Sequence, residues 1–134
     1  MPHEFDFDLA HRVIRARVKG IVTDESLKEY YASASKHGRL NPTFSGLCDL
    51  STVTFLAVST QTIRALAKLP PAIPDPDLPR CIVAGSTAMF GLARMFEMEG
   101  EEARPNLHVV RTEREAFAIL GIITPKFGPI EPTD

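Results

Sequence analysis

The chain has 134 residues and a formal charge of −2, enough for one domain that buries roughly two-thirds of its unfolded surface and too little for two. Apolar residues make up 44% and charged residues 24%, which excludes disorder and fibrous repeats. Because the two signs are interspersed, no basic field exists to attract a phosphate backbone, and nucleic acid is excluded as an expected partner.

Phe5, Phe7 and Leu9 alternate with Asp6 and Asp8, and a second alternating run follows from Val13 to Val22. Two such runs so close together predict an antiparallel hairpin. Within the second run, Arg15, Arg17 and Lys19 alternate with Ile14, Ala16 and Val18, which reads as a solvated strand face. Thr23 or Asp24 offers an N-cap, and Leu27, Tyr30, Tyr31 and Ala34 recur at helical spacing up to Gly38, a C-terminal stop. Phe44 to Asp49 is a short third strand, Asp49 at its end reads as a turn residue, and a connector runs from Leu50 to Val58. Ser59 caps a second helix whose stripe is Ile63, Leu66, Ala67 and Leu69.

The proline-rich segment 70–79 cannot be helix interior and is expected as a surface loop. Cys81 to Ala84 follows as a strand that turns through Gly85, and Ser86 or Thr87 caps a third helix running to about Gly100. Leu107 to Val110 is a fifth strand. Thr112 and Glu115 then match the capping-box pattern that opens a last helix ending at Gly121. The order ββαβαβαβα predicts one layered α/β domain over residues 1–121. Its sheet is expected to be mixed, mostly parallel and five-stranded, with helices packed on it. Residues 122–134, rich in Pro and Gly, are expected as an irregular tail draped over the body.

Neither Cys48 nor Cys81 has a partner at metal-ligand spacing, and the four histidines, His3, His11, His37 and His108, form no close pair. No metal, no cofactor and no catalytic grouping are expected, and two isolated thiols fit a reducing cytoplasm. The acidic N-terminus lacks the pattern of a signal peptide, and no apolar run approaches the roughly 20 residues that cross a bilayer. A soluble cytoplasmic protein without membrane insertion is therefore expected.

Gly20-Ile-Val-Thr23, Leu47-Cys-Asp49, Phe90-Gly-Leu-Ala-Arg-Met-Phe-Glu97 and Arg111-Thr-Glu-Arg-Glu-Ala-Phe-Ala-Ile-Leu-Gly121 resemble the small bacterial SpoIIAA-like proteins of the STAS superfamily. That superfamily includes anti-sigma-factor antagonists and is similar in fold to the CRAL-TRIO lipid-binding domains. The resemblance spans nearly the whole chain up to Gly121 and implies a non-enzymatic regulatory domain that works through a protein partner. In phospho-switch members, an Asp-Ser-Ser-like turn opens the helix after the third strand, and its serine is phosphorylated by a partner kinase. The matching stretch here is Phe55-Leu-Ala-Val-Ser-Thr60, which puts Ser59, followed by Thr60, at the phosphoacceptor position. Ala57 and Val58 stand where the acid and the first serine would be.

Ser59 thus has two readings, helix cap and phosphoacceptor, and a phosphate at a helix N-terminus meets free backbone donors. Gly85, Ser86 and Thr87 offer donors to an anion in the same way, although they also read as a tight turn and cap. In the third helix Met89, Leu92, Ala93 and Phe96 form one stripe for the sheet, while Phe90, Met95 and Met98 fall outside it. A helix apolar on more than one face meets a partner or a ligand, or is covered by its own chain. Arg94 and Glu97 are spaced to pair on the surface. Two functions follow. One is a STAS-like interaction domain, expected as a homodimer, using Ser59 and the third helix. The other is a carrier or sensor of a small apolar lipid or acyl ligand, which requires a continuous cavity of at least a few hundred Å3 lined by residues such as Leu66, Met89 and Phe90.

Overall fold

The two alternating runs pair as a hairpin in a computed structural model that describes residues 3–132. β1 (His3–Asp8) is antiparallel to β2 (Val13–Thr23), with Phe5 opposite Ala16. The chain then passes through α1 (Asp24–Leu40), β3 (Ser45–Ala57), α2 (Thr60–Ala67), β4 (Arg80–Val83), α3 (Thr87–Glu99), β5 (Leu107–Val110), α4 (Glu113–Leu120) and β6 (Phe127–Gly128). The sheet order is β5-β4-β3-β2-β1-β6. β2 to β5 are mutually parallel, and β1 runs antiparallel to both of its neighbours. The sheet therefore has six strands rather than the five read from the sequence. The extra one, β6, comes from the segment that follows α4.

Each helix begins where a hydroxyl or carboxylate meets its free donors. Thr23, Ser59, Ser86 and Thr112 all accept from the backbone N–H three residues on, and Thr23 with Ser26 and Thr112 with Glu115 complete capping boxes. Gly121 closes α4 in the left-handed conformation that glycine adopts without steric cost.

The helices divide between the two faces of the sheet. α4 covers one, over a core of Val13, Leu47, Cys81, Val83, Val110, Ala116 and Ile122. α1, α2 and α3 cover the other, where Phe7, Ile14, Phe44 and Ile73 make one cluster and Ala84, Met89 and Ala93 another. No helix among the described residues is long and apolar enough to cross a membrane.

Local expectations are overturned at two places in the sheet. The connector Leu50 to Val58 is, up to Ala57, a continuation of β3. Its pairing with β2 shifts register between Arg17 and Lys19 and again between Gly20 and Ile21, and at each point β3 carries one residue more. Such bulges keep Leu50, Val53 and Leu56 on one face although they are three apart. Arg15, read as solvated, is buried: its guanidinium bonds Asp6 at 2.7 and 2.9 Å and Glu113 at 3.2 Å and lies 3.8 Å over the Phe127 ring. The 70–79 segment is a surface loop, as expected, pinned to the body at one point where Ile73 is buried and the Ala72 carbonyl sits directly against Gly38 of α1.

Candidate functional site: an apolar cavity and the clasp between two helix N-termini

Between the sheet and α1 to α3 lies a cavity of about 180 Å3. Its wall combines Leu27, Tyr30, Tyr31 and Ala34 of α1 with Ile63 and Leu66 of α2. Met89, Leu92, Ala93 and Phe96 of α3 close it from the other side. The floor is Ile14, Ala16, Gly46, Cys48, Leu50 and Ile82. Small side chains in its lining, Ala16, Ala34 and Ala93, leave space that larger ones would fill. Apolar voids of about 150 Å3 stay dry and take up compact apolar molecules. This one is smaller than the few hundred Å3 set for a carrier, so its size suits a compact ligand and not a long lipid.

Of the residues singled out in α3, Met89 and, from α2, Leu66 line the cavity. Phe90 does not. It is half-buried against the sheet side of α3, under the Arg111 guanidinium at 4.0 Å from the ring centre. Arg94 and Glu97 are ion-paired on the surface, Met95 is half-buried and Met98 is 63% exposed. Gly85 and Ser86 lead into α3, which begins at Thr87: Ser86 caps α3 at 3.2 Å from the Met89 N–H, and the Gly85 carbonyl accepts from Arg111. Asp49 is buried, with one oxygen accepting the Ser51 N–H at 2.9 Å and the other 3.7 Å from Arg17.

Ser59 joins two helix N-termini. Its Oγ accepts the Thr62 N–H at 3.2 Å, which caps α2. Its own N–H and O–H both go to the Asp24 carboxylate in the first turn of α1, at 2.8 and 3.0 Å. The Ser59 N–H is the largest influence holding the Asp24 carboxyl below its ordinary pKa, with smaller help from the hydroxyls of Ser59 and Thr62 and from Lys28. The acid of the clasp therefore comes from the start of α1. Ala57 and Val58 supply none.

Sequence reasoning missed the polar end of the cavity. Arg80 and Arg104 line it, and each is more than nine-tenths buried. Arg104 donates to the carbonyls of Ala67 (2.8 Å), Leu69 (3.0 Å) and Leu66 (3.4 Å) at the end of α2 and to the Tyr31 hydroxyl at 2.5 Å, which in turn donates to the Pro70 carbonyl. Arg80 donates to the carbonyls of Ile73, Asp75 and Leu78. Both thiols are inert: burial pushes Cys48 and Cys81 up to about 12, so neither is a ready nucleophile. Among the described residues no group of three or more His, Cys, Asp or Glu is placed to hold a metal.

No family model matches the sequence, and no curated protein matches it. Among solved structures the chain is similar to the anti-sigma factor antagonist SpoIIAA in its unphosphorylated form, with a TM-score of 0.56 and 10% identity over 90% of this chain and 100% of that one. It is also similar to the Bacillus cell fate determinant SpoIIAA in the phosphorylated form, with a TM-score of 0.52 and 14% identity over 86% and 97%. The likeness covers most of the chain and establishes a SpoIIAA-like fold.

Proposed function

We propose that this chain is a non-enzymatic cytoplasmic regulatory domain that acts by binding a protein partner of the anti-sigma-factor kind, as a homodimer, through the surface around Ser59 and Thr60, at the start of α2, and along α3. The observation that carries this reading is the SpoIIAA-like fold with a capping serine, Ser59, at the exposed start of α2. A phosphoryl group on Ser59 would replace the 3.0 Å hydrogen bond to Asp24 with repulsion between two anions and part the starts of α1 and α2. The surface would then change while the sheet stayed intact.

Photo-crosslinking from Gln61, an exposed position in the first turn of α2, tests this in the native cell. A defined protein adduct is expected with the wild type and is expected to be lost with Ser59→Glu. The same yield of the same adduct from both proteins would overturn the role of the clasp, and no adduct at all would overturn the interaction reading. Light scattering on the purified chain reads the dimer directly as a doubled mass.

A second reading is favoured by the cavity. A compact apolar ligand held between α1, α2, α3 and the sheet would tighten the same helices that carry the clasp, and so couple ligand to partner.

A further inference from the structure

Among the described residues three arginines, Arg15, Arg80 and Arg104, are buried, and their surroundings differ by face. On the α4 side, Arg15 is matched by two carboxylates, Asp6 and Glu113. On the cavity side, no carboxylate among the described residues lies within ion-pair distance of Arg80 or Arg104. Their acceptors are backbone carbonyls and the Tyr31 hydroxyl, together with the Phe96 ring, 4.6 Å below the Arg104 guanidinium. The acid with most influence on Arg80, Asp75, is turned to its own loop, with one oxygen accepting the Asp77 N–H at 2.9 Å.

The two cations also act on each other. Burial lowers the Arg80 pKa first and the charge of Arg104 lowers it further, whereas for Arg15 Asp6 and Glu113 outweigh burial and raise it. Two like charges in an apolar wall without a counter-ion are costly, since desolvation is repaid only by an opposite charge or by enough donors and acceptors. The carbonyls at the end of α2 carry the negative end of its dipole and Asp75 acts on Arg80 from its own loop, but neither puts a full counter-charge in contact with a guanidinium. The backbone beside Arg104 leaves room for its guanidinium: a Cβ at Gly100 would lie 2.6 Å from Arg104 Nη1.

We propose that the cavity takes a compact amphipathic carboxylate, its tail among the side chains of α1, α2 and α3 and its carboxylate against the Arg80 and Arg104 wall. This rests on the apolar-ligand reading given above and adds the charge of the head group. An aliphatic tail fits the Leu27, Leu66, Met89 and Leu92 lining, and the anion supplies a counter-ion at ion-pair distance, which no described residue provides there.

The test is calorimetric titration of the intact protein with hexanoate and octanoate, each against the alcohol and the amine of equal chain length. Amide and methyl chemical-shift mapping on the same unmodified protein locates the bound probe. The carboxylates are expected to bind at least tenfold more tightly than the alcohols, and the amines most weakly, with shifts at Ala34, Leu66, Met89, Arg80 and Arg104. Equal affinity for acid and alcohol, with shifts at those residues, would overturn the carboxylate inference and leave the apolar-ligand reading standing. Absence of binding by every probe, or shifts confined to the outer surface, would overturn both.

Discussion

At the scale of single residues, Asp8 is the most consequential side chain outside the cavity. It is fully buried and accepts the His11 N–H, the His11 ring and the Lys126 N–H, each at 2.9 Å. Burial opposes its ionisation, but the N–H groups of Lys126 and His11 and the His11 ring together outweigh burial and hold the carboxyl below its usual range. The folded state therefore prefers the ionised form, and the resulting stability is full above the unfolded value near pH 4 and lost as pH falls through the lower folded value. Asp8→Asn is expected to cost about 2–3 kcal/mol at neutral pH, from weakened charge-assisted hydrogen bonds. Urea denaturation between about pH 7 and pH 2 checks it, since the wild-type advantage should shrink on the acid side. An advantage that stayed constant with pH would show that the charge of Asp8 is not what holds the turn. Arg15 marks the limit of the sequence at this scale. Alternation identified its strand face, but not that Glu113 and Phe127, about a hundred residues later, would cover it.

At the scale of elements, the helices were legible because their caps are local: Thr23, Ser59, Ser86 and Thr112 each make the bond that their side chains predict. β3 was legible only in its first half. Beyond Asp49 the bulges set the inward residues three apart, which is neither the strand period nor the helix period, and a pattern test reads such a stretch as a connector. The loop 70–79 was identified by its prolines, whereas its anchoring depends on a close approach that composition does not encode. A Cβ built on Gly38 would lie 1.8 Å from the Ala72 carbonyl oxygen, so α1 can touch the loop only through a glycine. Gly38→Ala is expected to destabilise the fold by roughly 2–3 kcal/mol, because helix and loop must separate and the strain exceeds any gain in helix propensity. It should also raise amide exchange around Ile73 and Arg80, whose guanidinium is held by the loop carbonyls. Thermal and urea unfolding with exchange mass spectrometry read both effects, and unchanged loop protection would refute the anchoring role.

At the scale of the whole molecule, the cavity and the tail are the features that no local pattern reveals. The cavity is a shortfall of side-chain volume summed over residues from separate elements, Ala16, Ala34 and Ala93, and becomes visible only when the layers are assembled. The tail shows the same dependence on assembly. Ile122 fills the core beneath α4, Phe127 stacks on Phe117 under Arg15, β6 pairs with Phe7 and Asp8 at the edge of β1, and Glu131 bonds His37 at 2.8 Å and Asn41 at 2.7 Å. These contacts tie α4, β1 and the C-terminal end of α1 together by one strap, so removing it should loosen the β1 edge before the parallel centre. Truncation after Gly121 is expected to cost about 3–5 kcal/mol, set mainly by the space that Ile122 vacates. Amide exchange in β1 should accelerate strongly while β3 and β4 keep their protection relative to the global unfolding free energy. Uniform acceleration across all strands would mean that the tail contributes only to overall stability, and no acceleration in β1 would mean that the strap does not hold the edge at all.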